Sequence, residues 1–143
     1  MSGLERLDYN DGGVALTGWL ARPTGQARGA IVIFPTIANV NPHMERRARM
    51  LADLGFVAMV ADFYGEPVRD FAHAGELAKV LRASPQGYRA RLCAAIAALR
   101  GHPAAQGLPA AQGFASGSAG CGADAALGGD ATAGPPAAHG LPA

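Results

Sequence analysis

Two continuous apolar runs organise the chain. Ala30-Ile31-Val32-Ile33-Phe34 stops at Pro35, and Phe56-Val57-Ala58-Met59-Val60-Ala61 runs into Asp62-Phe63-Tyr64-Gly65. Neither alternates with polar residues, which is how a strand covered on both faces reads. Upstream, Val14 to Leu20 is β-prone and partly alternating, and it follows the turn signal Asn10-Asp11-Gly12-Gly13, so a strand leaving a tight turn is predicted. Helical spacing fills the gaps. Pro42 suits a first helical position with Asn41 as N-cap, Ala48, Leu51 and Leu54 repeat at helical intervals, and Gly55 ends the segment. Residues 70–82 predict a second helix, with Phe71, Ala74, Leu77, Ala78 and Leu81 on one side. Ser84-Pro85 opens a third, striped by Tyr88, Leu92, Ala95, Ile96 and Leu99 and capped by Gly101. Strand, helix, strand, helix implies parallel strands joined by right-handed crossovers. The expected class is α/β with an antiparallel edge at the N-terminus.

The pattern changes near Gly101. Beyond it there is no Lys, Arg, Glu, Val, Ile, Met, Trp or Tyr, and Ala, Gly and Pro dominate. Leu108-Pro109-Ala110-Ala111-Gln112 falls where a further central strand is due, but Pro and Gln are wrong for a buried strand. Such a segment buries too little apolar area to offset its ordering entropy. The chain therefore divides into an orderly part, residues 1–103, and a weakly ordered tail, residues 104–143. Two origins fit the tail: a frameshift in a GC-rich gene, or an in-frame sequence that has eroded. An open parallel sheet exposes pairing groups on its edge strands, so self-association of the chain is expected.

Composition narrows the function mainly by exclusion. A net charge of +1 with scattered arginines gives no basic tract for nucleic acid. The N-terminus lacks a signal-like apolar core, and no apolar run approaches a membrane span, so a cytoplasmic, non-membrane protein is expected. Cys93 and Cys121 form no metal or redox spacing, and the four histidines are not paired with carboxylates or thiols at ligand intervals, so no metal and no cofactor is expected. Pro35-Thr36-Ile37-Ala38 is too bulky to cradle a phosphate, which argues against a nucleotide-binding module.

Residues Ile31 to Asn41, Arg46 to Ala58 and Ala61 to Gly65, together with Tyr9, Asp11-Gly12, Leu20-Ala21-Arg22-Pro23 and the helix Arg91 to Arg100, resemble the dienelactone hydrolase family over residues 7 to 103. The resemblance implies the N-terminal half of an α/β-hydrolase: a doubly wound, mainly parallel sheet behind an antiparallel hairpin. It implies cleavage of small esters or lactones by a Cys, Asp and His triad, with the nucleophile in a G-x-C-x-G elbow. Here the best elbow match is Gly113-Phe114-Ala115-Ser116-Gly117, so Gly113 and Gly117 flank an Ala115 that has no nucleophilic atom. A shifted register offers Ser118 but puts Ser116 where a glycine belongs. Another places Cys121 between Ala119 and Ala123. An ordinary Ser or Cys in a Gly/Ala-rich segment is the simpler reading of both. Cys93 reads as a buried structural thiol. His43, His73 and His102 read as surface or loop histidines, although His43 follows the oxyanion loop and could border a pocket. His139-Gly140-Leu141 resembles a strand end of the family and not its triad histidine, and Asp124 and Asp130 follow the elbow too closely to be the triad acid. The resemblance places an oxyanion hole on the backbone N–H groups of Thr36 and Ile37. Some members carry a glutamate in this loop; Thr36 stands in its place. The sequence thus predicts an ester or lactone hydrolase lineage whose triad is incomplete in this chain, or else a non-catalytic binding module of hydrolase descent.

Overall fold

The computed structural model describes residues 3–108. Four strands form one mixed sheet in the order β1-β2-β4-β3. Strand β1 spans Glu5–Asp11, β2 Val14–Ala21, β3 Gly29–Ile33 and β4 Phe56–Val60; helix α1 spans Pro42–Asp53, α2 Phe71–Arg82 and α3 Pro85–Gly101. The hairpin β1–β2 is antiparallel, β2 pairs antiparallel with β4, and β3 pairs parallel with β4. The α/β class and the N-terminal hairpin thus stand as expected. Among the described residues the parallel portion is the β3–β4 pair. Residues 109–143, including Gly113, Ala115, Gly117 and Ser118, lie outside the described residues.

The hairpin turn shows why the chain reverses where it does. Gly12 and Gly13 both adopt positive φ, at 56° and 96°. Side chains other than Asn and Asp rarely take that region. The Asn10 side chain accepts from the Gly13 N–H at 2.8 Å and closes the turn.

Strand β4 explains its own unbroken apolar run. Val57 and Met59 pack with Leu20, Ala61, Ala95 and Leu99 against α3. Ala58 and Val60 pack with Ala21, Met44, Ala48 and Ala52 against α1. Successive side chains of a strand point to opposite faces, so a strand buried on both sides needs apolar residues at every position. Strand β3 carries the same kind of run but is only half-buried along Ala30 to Ile33, because it forms the sheet edge among the described residues.

The helices begin as predicted. Asn41 caps α1 by accepting from the N–H groups of His43 and Met44, Asp70 caps α2 through the His73 N–H, and Ser84 caps α3 through the Gly87 N–H. Their buried stripes differ in detail from the sequence reading. In α1 the buried residues are Met44, Ala48 and Ala52, and Leu54 lies outside the helix end, 60% exposed. Gly55 follows at φ 93° and turns the chain into β4. In α2 Ala74 and Ala78 face inward, while Phe71 is 79% exposed at the first turn. Small residues lie against the neighbouring elements here because the backbones approach closely. Helix α3 buries Ala95 and Leu99 as expected, and Gly101 is its last residue, with His102 as the C-cap.

These placements predict contrasting mutants. Leu20→Ala, at a site 1% exposed, should cost about 2–5 kcal/mol in urea unfolding. Leu54→Ser should change stability by less than about 0.5 kcal/mol. Comparable losses would mean that Leu54 belongs to the core after all.

Candidate functional site

The loops that follow β3 and β4 meet at one end of the sheet. The segment after β3 leads to α1 on one face, and the segment after β4 leads through α2 to α3 on the other. Diverging connections of this kind open a crevice at the carboxyl ends of the strands, where α/β proteins bind ligands. A cleft lies there, lined by Pro35, Thr36, Ile37, Phe63, Tyr64, Ala78, Leu81, Arg82 and Tyr88. Its volume of about 80 Å³ is well below the roughly 300–1,000 Å³ of a complete small-molecule pocket. Among the described residues the cleft is thus too small to enclose a small-molecule ligand.

The cleft floor is aromatic. Phe63 is buried, stacks on Phe34 at 6.2 Å between centroids, and meets Tyr88 at 5.9 Å in a tilted arrangement. Tyr64 is half-buried, and burial raises its hydroxyl pKa above the ordinary value. That hydroxyl donates to the carbonyl of Ile37 at 3.2 Å and ties the two loops together.

The loop after β3 is a tight turn. The Asn39 N–H donates to the Thr36 carbonyl at 2.9 Å, and Asn39 takes φ 56°. Asparagine tolerates this left-handed conformation better than most side chains. Neither the Thr36 nor the Ile37 N–H meets an acceptor among the described residues. Both residues line the cleft.

Behind the cleft stands a group that the sequence reading passed over. Asp62 is buried, and its Oδ1 accepts from the Asn39 side-chain amide at 2.8 Å, the Tyr64 N–H at 2.9 Å and the Gly65 N–H at 3.0 Å. Its Oδ2 accepts from the Thr17 N–H at 3.1 Å. The Tyr9 hydroxyl closes the other side. It accepts from the Asp62 N–H at 3.0 Å and donates to the Asp62 carbonyl at 3.1 Å. Asn39 in turn accepts from the Phe63 N–H at 3.0 Å. Arg91 of α3 donates to Asp11 at 2.7 Å and to the Phe63 carbonyl, so the loop after β4 is held from the third side as well. The pattern Asp-x-x-Gly after an apolar run is a turn signature that could have pointed to Asp62, because an aspartate accepts from N–H groups two and three residues on.

Among the described residues, His43, His73 and His102 are not part of the cleft lining. His43 contacts Arg46 at 2.6 Å on the exposed face of α1, and the ring of His73 accepts from the Arg69 N–H. His102 is more embedded than a simple loop residue. Its Nδ1 accepts from the Ala104 N–H and its Nε2 lies 3.3 Å from Glu5. The bidentate hydrogen bonds of Arg22 hold the Glu5 carboxyl below the usual range. Cys93 is half-buried on α3 and is not a free thiol. Among the described residues no group of His, Cys, Asp and Glu is placed to hold a metal, and no helix is long and apolar enough to cross a membrane.

Comparison with known proteins places this geometry. The model of the dienelactone hydrolase family matches residues 16–141. The chain belongs to the dienelactone hydrolase family. Among solved structures, a dienelactone hydrolase-like promiscuous phosphotriesterase from metagenomic libraries is 33% identical with a TM-score of 0.68; the match covers 73% of this chain and 45% of that one. The structure named m3DLH is 28% identical over the same shares, with a TM-score of 0.67. The dienelactone hydrolase of Anabaena variabilis shares the fold at 19% identity and a TM-score of 0.52, over 73% of this chain and 48% of that one. The chain thus spans less than half the length of these dienelactone hydrolase structures. Among curated proteins none matches it. The family membership expected from the sequence stands, and the matched region continues past the residue 103 where the sequence resemblance was drawn to a close.

Two outcomes follow for the cluster. Asp62→Ala strands donors from three segments, the buried Asn39 amide among them, and should cost about 3 kcal/mol or more, while Asp8→Ala on the exposed surface should leave the urea midpoint nearly unchanged. Urea unfolding of both variants checks the difference, and a cheap Asp62→Ala would remove Asp62 from its central place. Burial pushes the Tyr9 hydroxyl pKa up to about 12 from 10.0. A raised folded-state pKa favours the protonated form, so this contribution to stability is complete below 10.0 and is lost as pH rises towards 12. Tyr9→Phe should flatten that stretch of the stability–pH curve relative to wild type.

Proposed function

We propose that this chain carries the carbonyl-binding wall of a dienelactone hydrolase-type site and holds small esters or lactones without turning them over. The Thr36 and Ile37 N–H groups, which line the cleft and lack acceptors among the described residues, are the observation that supports this reading. Two such donors can stabilise the negative charge that develops on a carbonyl oxygen when a nucleophile adds to the carbonyl carbon. Family membership supports the substrate class. Turnover needs a nucleophile as well, and Ala115 at the expected elbow position supplies none. The family match through residue 141 supports an in-frame origin for the tail. Thr36, in place of the glutamate some members carry, cannot exchange a proton near neutral pH.

Ser118 is the second reading, because it sits within Gly117-Ser118-Ala119-Gly120, three residues after Ala115. Hydrolysis of a p-nitrophenyl ester by the full chain separates the two. The expected rate equals the buffer background and is unchanged by Ser118→Ala or Cys121→Ala. A rate above background that Ser118→Ala abolishes would replace the first reading with a serine hydrolase. A p-nitrophenyl phosphotriester run in parallel tests the activity named for the metagenomic neighbour, with background rate again expected.

A further inference from the structure

We infer that the buried Asn39–Asp62 pair is the positioning device of the oxyanion loop, fixing the direction of the Ile37 N–H; this rests on the oxyanion reading above. The peptide Thr36–Ile37 is trans, as every described peptide bond is. In a trans peptide the C=O and the N–H point to opposite sides. The Thr36 carbonyl is turned toward Asn39, whose N–H donates to it at 2.9 Å. The Ile37 N–H therefore points away from the turn. It has no acceptor there among the described residues, and Ile37 lines the cleft.

The turn holds this direction only while Asn39 keeps its left-handed backbone, a conformation that costs most residues on the order of 1 kcal/mol. Its side chain is anchored at both ends. The amide nitrogen donates to Asp62 Oδ1 at 2.8 Å, and the amide oxygen accepts from the Phe63 N–H at 3.0 Å. Asp62 is fixed in turn by Thr17, Tyr64 and Gly65. Asn39 is 5% and Asp62 7% exposed, so solvent competes little for the bond between them. The neighbouring peptide is steadied separately, through the Tyr64 hydroxyl on the Ile37 carbonyl. A site that must offer preorganised donors gains from such a clamp, because donors that need not reorient cost nothing at the moment of binding. Asn39 and Asp62 touch no substrate in this scheme; they act through the Ile37 peptide.

The test separates backbone need from side-chain clamp. Asn39→Gly keeps the left-handed conformation and removes both anchoring bonds. The probe is a p-nitrophenyl methylphosphonate monoanion, a tetrahedral oxyanion, titrated into the full chain while the Ile37 amide is followed by proton–nitrogen NMR. Wild type should show a saturable downfield shift of that amide. Asn39→Gly should weaken binding on the order of tenfold and lose most of the Ile37 shift, with the thermal unfolding still cooperative. Asn39→Asp is the second variant. It keeps the acceptor for Phe63 but sets a second carboxylate against Asp62. Its binding should be weak near neutral pH and recover in acid, where the protonated carboxyl again donates to Asp62. Wild-type binding and Ile37 shift retained in Asn39→Gly, or in Asn39→Asp at neutral pH, would overturn the positioning role. A wild-type Ile37 amide that never responds to the probe would instead overturn the oxyanion reading on which it rests.

Discussion

The Asp62 carboxylate lies at the end of β4 and accepts from donors on three separate stretches of chain: Thr17 in β2, Asn39 in the loop after β3, and Tyr64 and Gly65 in its own loop. The Asn39 amide would otherwise be a buried donor with nothing to bond, and the other donors would lose a partly buried acceptor. A buried carboxylate is costly unless its lone pairs are filled, and here four donors fill them. The cost of burial and the need for acceptors thus cancel at one residue. The Tyr9 hydroxyl extends the same connection to β1 through the Asp62 backbone. Sheet pairing alone fixes β2, β3 and β4 along their lengths. It does not fix where the loops beyond them lie, and Asp62 does.

The position of Asp62 follows from the strand before it. Strand β4 is central, so α1 and α3 cover its two faces and β2 and β3 its two edges. A strand enclosed on every side varies little in position and delivers the residue at its end to one place. Among the described residues strand β3 is held on one edge only, and the loop after it would be the less certain of the two. The bonds from Asn39 to Asp62 and Phe63 carry the order of β4 across to that loop. In this way core packing against small residues such as Ala48, Ala58 and Ala95 reaches the backbone groups of the cleft.

The elements were legible in the sequence because their signals are local. A double-sided apolar run, Asn41-Pro42, Ser84-Pro85 and Asn10-Asp11-Gly12-Gly13 each specify a piece of backbone through neighbours in the chain. The faces of the helices were less legible. A spacing of three and four placed Leu54 and Phe71 on buried stripes, but each lies at a helix end, where a residue can turn outward, and alanines took the contacts. The loop after β3 could be singled out only by resemblance, since nothing in Thr36-Ile37-Ala38 itself marks it as a ligand loop. The Asp-x-x-Gly turn hints at Asp62, but its pairing with Asn39 was not legible. Asn39 and Asp62 stand 23 residues apart, and only the parallel pairing of β3 with β4 brings the ends of those strands together.

That separation bears on how a hydrolase scaffold divides its work. The groups proposed to bind a carbonyl are backbone amides, and they lie beside residues that also satisfy buried donors of the fold. A substitution at Asn39 or Asp62 is therefore opposed by stability as well as by binding. A nucleophile at an elbow has no such second duty: its side chain projects from a strained turn, and replacing it with alanine removes chemistry and relieves no buried group. On the reading proposed above, an elbow without a nucleophile at Ala115 can coexist with a carbonyl-binding wall, because the two halves of such a site rest on different physical constraints.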